Sequence, residues 1–570
     1  MAEFYKGMDI SGLPELEAEA VKMKDLDGTV MEPFELITKY GVNAIRLRLW
    51  NNPEYVEEAK GFCNLTHTIA MAKRIKAHHL NFMLDFHYSD FWADPGKQVK
   101  PKDWENLSFD ELEEAVYTYT RDTLLALQAE DVLPDIVQIG NEIRSGLLFP
   151  EGELPDYEHM VRLVNAGIRG ARSVADAETM KVMIHLDQGG RFFYLKEWFD
   201  KSIETGLLDF DIIGLSYYPF WHGTFHDLQQ SLMNLIHTYQ KPIMVVETAH
   251  AWRKSSTGFI DESQEKIAGI AATPEGQQKV LDLVMNIVAS IPGQMGCGVY
   301  YWEPLCIPVP GEGGWSDNMG LLNEEGRILP GIKSFGFTRE QLRVGEPAKV
   351  YEPEDIQITV DEEPGLPEQL PVLFYDGTIQ KKHVEWQIEQ KQWEMGEHRI
   401  TGNMDSIPFP VFCKVVVLKE VPKEMNLLRD VNWNEGLTQW EVQKSEEHVV
   451  VQLSPDFIDP FPAPPVNSLR IESPKNFTFA IHQQVMIQRE GYYTLQVEYK
   501  GTDTTNVEIH LFIETMDGIS ETMIHPTEHE WGVFQVKPVF CKPQMVTVGI
   551  RVSAPPVYGM IRKFSFSHST

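Results

Sequence analysis

Two glutamates occupy positions from which a pair of carboxyl groups can do chemistry. Glu142 ends the apolar run DIVQIGNE (135–142), and Glu247 lies near the end of KPIMVVETA (241–249). A short apolar run closing on an acid reads as a buried strand that delivers a carboxylate to its open end. Cleavage of a glycosidic bond needs two such groups. One carboxylic acid protonates the leaving oxygen, and one carboxylate attacks or stabilises the anomeric carbon. A separation of ~5–5.5 Å leaves no room for a water between them and gives retention of configuration. The plainer reading makes each glutamate an ion-pair partner of Arg46 or Arg48.

Other apolar runs close in the same way. Arg46, Arg48 and Trp50 end 42–50, and Asp85, His87 and Tyr88 end 80–88. Asn141 precedes Glu142, His185 and Asp187 end 181–187, Tyr217 and Tyr218 end 210–219, and Trp302 and Glu303 end 296–304. A purely structural barrel does not need polar groups at so many strand ends, which favours the catalytic reading of Glu142 and Glu247. An arginine beside a nucleophilic carboxylate holds it ionised, a role for Arg46 that is compatible with a structural ion pair. His87 reads either as a site residue or as a satisfied core histidine. Trp302 reads either as a floor for the sugar or as packing at the barrel top.

These residues need a scaffold that brings strand ends together. With 4–11 the strand candidates number eight, and amphipathic helical patterns lie between them. Ser108 and Glu111 spell a capping box for a helix over 108–130, and Thr273-Pro274 places a cap residue before a proline at the first helical position. A last helix falls at about 329–336. Eight strands, each followed by a helix, predict a (β/α)8 TIM barrel over residues 1–342, with its site at the C-terminal strand ends. After that the texture changes. Pro353, Pro364, Pro367 and Pro371 stand among acids, and alternating runs such as VFCKVVVL (411–418), YYTLQVEY (492–499) and VEIHLFIE (507–514) follow. They predict two all-β sandwich domains, 350–418 and 424–570.

Composition narrows the partners. The net charge of −34 argues against nucleic acid and anionic lipid, and a neutral substrate fits it better. No stretch approaches the ~20 apolar residues of a membrane span. The five cysteines (63, 297, 306, 413 and 541) form no CxxC pair and indicate neither a zinc site nor a disulfide framework. The opening MAEFYKGM lacks a signal-peptide pattern, so the chain as written reads as cytoplasmic, or as extracellular if a leader was trimmed.

The longer blocks carry a resemblance. FYKGMDISGLPELE (4–17), YGVNAIRLRLWNNP (40–53), LDFHYSDFWADPGKQVKPKDW (84–104), VQIGNEIRSGLLFPEG (137–152), IGLSYYPFWHGTF (213–225), MVVETAH (244–250), GVYYWEPLCIP (298–308) and WSDNMGLLNEEGRILPGIKSFG (315–336) resemble the endo-β-1,4-galactanases of glycoside hydrolase family 53. The resemblance covers nearly all of 4–338. It implies a clan A barrel, a β-1,4-galactan or galacto-oligosaccharide substrate, retention and no redox cofactor. It carries acid/base onto Glu142, nucleophile onto Glu247, and sugar contacts onto Arg46, His87, Trp92, Asp94, Asn141, Tyr217 and Trp302. Bacterial members often bind calcium after strand seven, but AWRKSSTGFIDESQEKIAG (251–269) lacks the run of Asp, His and Asn ligands, so no metal is expected. Another clan A glycanase, of mannanase or cellulase type, and a non-catalytic galactan-binding protein are the alternatives. Intact Glu142 and Glu247 weigh against the second.

PGLPEQLPVLFYDGTIQKKHVEW (364–386) and MGEHRITGN (395–403) resemble a bacterial immunoglobulin-like domain. NLLRDVNWNEGLTQWEV (426–442) and GMIRKFSFS (559–567) are similar to jelly-roll carbohydrate-binding modules. Such modules commonly end on Trp-Gly and two acids, whereas Tyr558-Gly559 and Arg562-Lys563 stand here, so a plain structural role is the alternative. Trp433, Trp440, Trp531 and Tyr558 are the aromatic candidates for a sugar surface.

Overall fold

A computed structural model describes residues 3–568, except 175–178, 256–257, 259–264, 266, 309–313, 354, 389–392, 420–425, 432, 434–435, 446–448, 457–465, 474, 503–506, 526–530 and 555–556. The chain divides into two units. The first holds Met1–Gly345 with Tyr375–Gly377, and the second holds Glu346–Phe374 with Thr378–Thr570.

The first unit is a closed barrel of eight strands, each paired in parallel with its neighbours. They are β1 (Tyr5–Asp9), β2 (Ala44–Leu49), β3 (Asn81–Phe86), β4 (Ile136–Ile139), β5 (Lys181–Leu186), β6 (Ile212–Ser216), β7 (Ile243–Thr248) and β8 (Gly296–Trp302). Every predicted strand is present. Nearly every strand residue is buried, as expected of strands covered by helices on one side and by the barrel interior on the other. The capping box at Ser108 and Glu111 starts the helix Phe109–Ala129, and Thr273 accepts from the Gly276 amide to start Pro274–Ala289. The expected final α-helix is instead a 3₁₀ stretch, Pro330–Gly336. It has seven residues with Gly331 and Gly336 inside, too little propensity and too few i→i−4 bonds to sustain an α-helix.

Inside the barrel, Ala44, Met83, Ile136, Met183, Ile212, Met244, Val246 and Tyr300 pack into one apolar layer. Glycine makes room for the largest of them. A Cβ on Gly7, which pairs with Tyr300, would lie 2.0 Å from the Tyr300 ring, and one on Gly214 would lie 2.6 Å from the Met183 sulfur. Side chains two residues further along each strand share that inward face and form the next layer toward the C-terminal mouth.

The second unit is all β. Its first part orders strands Pro347–Val350, Gln369–Phe374, Ile379–Gln387, Gly396–Met404, Val411–Leu418 and Ile356–Thr359. The long strand 379–387 pairs with 369–373 by its first half and with 401–404 by its second. It thus serves two apolar clusters, and Trp386 packs against both. The second part has a five-stranded and a six-stranded antiparallel sheet around one large core. Trp433 and Trp440 lie in that core, 4.9 Å apart with Phe564 beside them. They are structural and not a sugar surface. Trp531 is partly exposed under the Arg562 guanidinium at 3.9 Å, and the Tyr558 side chain lies outside the described residues.

Candidate active site

The layer above the apolar one is almost entirely polar. Stepping two residues from Gly7, Ala44, Met83, Ile136, Met183, Gly214 and Tyr300 reaches Asp9, Arg46, Asp85, Gln138, His185, Ser216 and Trp302. All but Trp302 are essentially fully buried. Polar groups sealed from water must satisfy one another, and Arg46 is their hub. Its guanidinium reaches Asp9, Asp85 and Glu247, each at 2.9 Å, and donates to Gln138 Oε1 at 3.1 Å and Asn141 Oδ1 at 2.8 Å.

Glu247 reaches this layer through an irregularity. The β6–β7 register runs Leu215 to Val245 and then Ser216 to Glu247, leaving Val246 as an extra residue. A regular alternation placing Met244 and Val246 inward would turn Glu247 outward, and the bulge re-aims it. Glu247 is 5% exposed, and Tyr218 donates to its second oxygen at 3.3 Å. Burial, assisted by Asp85 and Asp9, lifts its pKa to about 7 against the pull of Arg46. Arg46 thus works toward the charged form of Glu247 against that rise. One guanidinium is shared among three buried carboxylates, so no single one receives its whole effect.

Glu142 follows Gly140 and Asn141 at the end of β4, with φ 49° in the left-handed region. It is partly open to solvent. Burial raises its pKa well above 4.5, Glu247 and Asp187 push it the same way, and a hydrogen bond from the Ser216 side chain opposes them. Two carboxyl groups from β4 and β7 thus share one mouth and disfavour each other's charge. Such a pair keeps one group protonated while the other carries negative charge, as acid and nucleophile require.

The other sequence-predicted residues divide in two. Trp92 and Trp302 are partly exposed, 5.8 Å apart, and Trp315 stands 4.4 Å from Trp302 and 5.7 Å from Tyr218. Together they make an aromatic wall at the mouth, with Arg48 4.1 Å over the Trp92 ring. Asp94 is exposed in the loop after β3, near enough to Glu142 to raise its pKa. Asn141 is buried, and its amide donates to Ala93 O at 2.8 Å. His87 is also buried. Its Nδ1 accepts from Trp50 Nε1 at 3.3 Å and Ala93 N at 3.2 Å, so Nε2 carries the proton and donates to Asp85 at 3.0 Å. Both ring nitrogens are engaged within the protein, and the imidazole orients Asp85. Tyr217 is fully buried, with its hydroxyl on Gly223 O at 3.0 Å, whereas its neighbour Tyr218 meets Glu247. Arg48 pairs with Glu303 and not with either glutamate of the pair.

Asp9, Gln138 and Ser216 escape a reading that stops at the last polar residue of each run. The available signal was the step of two from the apolar layer. Nine of the nineteen residues of 251–269, the loop where a calcium site was not expected, lie outside the described residues.

This geometry is matched by kinship. Residues 5–335 fit the model of glycosyl hydrolase family 53. The chain belongs to that family. It is 44% identical over 352 residues to an uncharacterized protein of Niallia circulans from the bgaB 5′ region, covering 60% of this chain and 92% of the relative. It is 38% identical to arabinogalactan endo-beta-1,4-galactanase A of Emericella nidulans, covering 56% and 87% respectively. A solved family 53 catalytic domain from Ignisphaera aggregans superposes with a TM-score of 0.55 at 35% identity, over 58% of this chain and 95% of that one. Residues 351–406 match a bacterial Ig-like domain (group 4).

Proposed function

We propose that this family 53 hydrolase cleaves β-1,4-galactosidic bonds in galactan or its oligosaccharides by double displacement. Glu247 is the nucleophile and Glu142 the acid/base. The observation that carries the reading is the pair of carboxyl groups at the barrel mouth, with Glu247 on Arg46 and Glu142 raised further by Glu247 itself. Glu142 donates its proton to the leaving oxygen as Glu247 attacks the anomeric carbon. Deprotonated Glu142 then takes a proton from the water that releases the sugar. Tyr218 donates to the nucleophile, and Trp92, Trp302 and Trp315 present aromatic faces for apolar sugar surfaces. Relatives named as galactanases support the sugar over mannan or cellulose.

The test is reducing-end release from linear galactan, mannan and cellulose in parallel, using the wild type, Glu142→Gln and Glu247→Gln. Galactan should be preferred, and each variant should lose at least ~10²-fold in kcat. On an aryl galactobioside with a good leaving group, Glu142→Gln should still form the glycosyl-enzyme and Glu247→Gln should not. Near-wild-type turnover by either variant on galactan would refute the assignment. We also propose that residues 424–570 act as a sugar-binding module that raises activity on polymer by local concentration. The jelly-roll likeness of the sequence supports this.

A further inference from the structure

One buried pair in the polar layer has no part in that mechanism. His185 and Ser216 are both fully buried, with His185 Nε2 2.9 Å from Ser216 Oγ. The other ring nitrogen, Nδ1, lies 3.0 Å from Gln138 Nε2 and 3.4 Å from the Glu142 main-chain N. The Glu142 N–H is fixed by the main chain and directed at this nitrogen, so Nδ1 accepts. Asn141 Oδ1, also 3.0 Å away, accepts from Arg46 at 2.8 Å instead, and Gln138 Nε2 makes its shortest hydrogen bond, 2.6 Å, to Asp85. Nε2 therefore carries the ring proton and donates to Ser216, and the single Ser216 proton is left to point at the Glu142 carboxylate. Ring neutrality agrees with this, since burial beside Arg46, His87 and His222 holds the His185 pKa well below 6.5.

We infer that His185 and Ser216 form a positioning pair that grips Glu142 at both ends, main chain through Nδ1 and carboxylate through the serine hydroxyl. The inference rests on the reading of Glu142 as acid/base. The main-chain grip steadies a residue in the left-handed region, which is costly for a side chain other than glycine. The hydroxyl engages one carboxylate oxygen and leaves the other for the exchangeable proton. It also tempers the local charge. Glu142 faces Glu247 on β7, Asp187 beyond β5, Asp94 beyond β3, Arg144 in its own turn and Tyr218 beyond β6. All three carboxylates oppose its ionisation, and the Ser216 hydrogen bond favours it, so the acid can return to its base form in the second step.

The experiment is the pH dependence of kcat and kcat/KM on linear β-1,4-galactan, with an aryl galactobioside of good leaving group as the second substrate. Ser216→Ala should lose about 10–100-fold in kcat on galactan with KM unchanged. The alkaline limb of its kcat/KM profile should move to higher pH, because a donor to the charged form is gone. Glycosylation from the aryl substrate, which needs little protonation, should stay near wild type. His185→Leu should behave in the same way, and His185→Gln, whose amide N–H can replace Nε2–H, should recover most of the loss. Should the apolar variants fail to fold, Ser216→Cys keeps the shape with a weaker donor and must shift the same limb. An unmoved alkaline limb in folded Ser216→Ala or Ser216→Cys, or equal losses in His185→Gln and His185→Leu, would overturn the inference. A wild type inactive on galactan would instead overturn the parent reading.

Discussion

At the scale of single residues, the site is governed by too much negative charge around too little positive. Arg46 faces Asp9, Asp85 and Glu247 at equal distance, and Glu142 adds a fourth acid nearby. Two outcomes follow. Asp9 raises the Glu247 pKa, so Asp9→Asn should lower it and move the acid limb of kcat/KM to lower pH. A limb that stays in place, or moves up, would mean that Asp9 acts only through geometry. The second concerns stability. The folded-state pKa of Glu142 lies above its ordinary 4.5, so the folded state holds this proton more tightly than the unfolded chain does. Stability from this group is present below about pH 4.5 and is lost as pH rises through the raised value. Glu142→Gln cannot ionise and escapes the loss. It should therefore melt above the wild type at pH 8, with a smaller difference at pH 5, in parallel thermal melts. A wild type that melts as high as the variant at pH 8 would contradict the assignment of buried like charge.

At the scale of elements, barrel geometry sets which residues can meet. The apolar layer accepts Tyr300 only because Gly7 opposite it has no side chain. Gly7→Ala should cost about 1–3 kcal/mol or more, since the new methyl meets a ring enclosed by the barrel. Chemical denaturation would measure this, and an unchanged midpoint would mean that the barrel dilates at that layer. The bulge on β7 matters in the opposite sense, because it adds function at the expense of regularity. Period two alone would leave Val246 inward and Glu247 among the surrounding helices. Sequence supplies no sign of this irregularity. The bulge follows from how β6 and β8 pair with β7, since both registers slip at that point.

At the scale of the whole chain, two units imply that hydrolysis and any sugar capture by the tail can be separated. A chain ending at Gly345 keeps β1 to β8 and every residue of the proposed site. It should fold and retain oligosaccharide turnover, while the full chain should be favoured on polymeric galactan. Equal loss on both substrates would show instead that the tail supports the barrel. Insoluble protein would refute the boundary. Within the tail, Trp433→Ala should cost about 3–5 kcal/mol of domain stability, as for any buried tryptophan, and should leave no folded module whose sugar binding alone is impaired.

The sequence alone was enough to place all eight barrel strands and both β-rich segments. Apolar runs bounded by polar strand ends report burial, and burial follows directly from composition and period. It also brought forward Glu142, Glu247, Arg46 and Trp302, because each closes such a run, while Trp92 came with the family resemblance. Only the tertiary structure decided how charge is shared. Arg46 serves three acids, His87 spends both ring nitrogens on Trp50, Ala93 and Asp85, and Tyr218 rather than Tyr217 reaches Glu247. Those outcomes depend on distances between strands remote in sequence and on a one-residue slip in register. A pKa or a hydrogen bond depends on the surroundings in space, and adjacent letters in a chain do not record them.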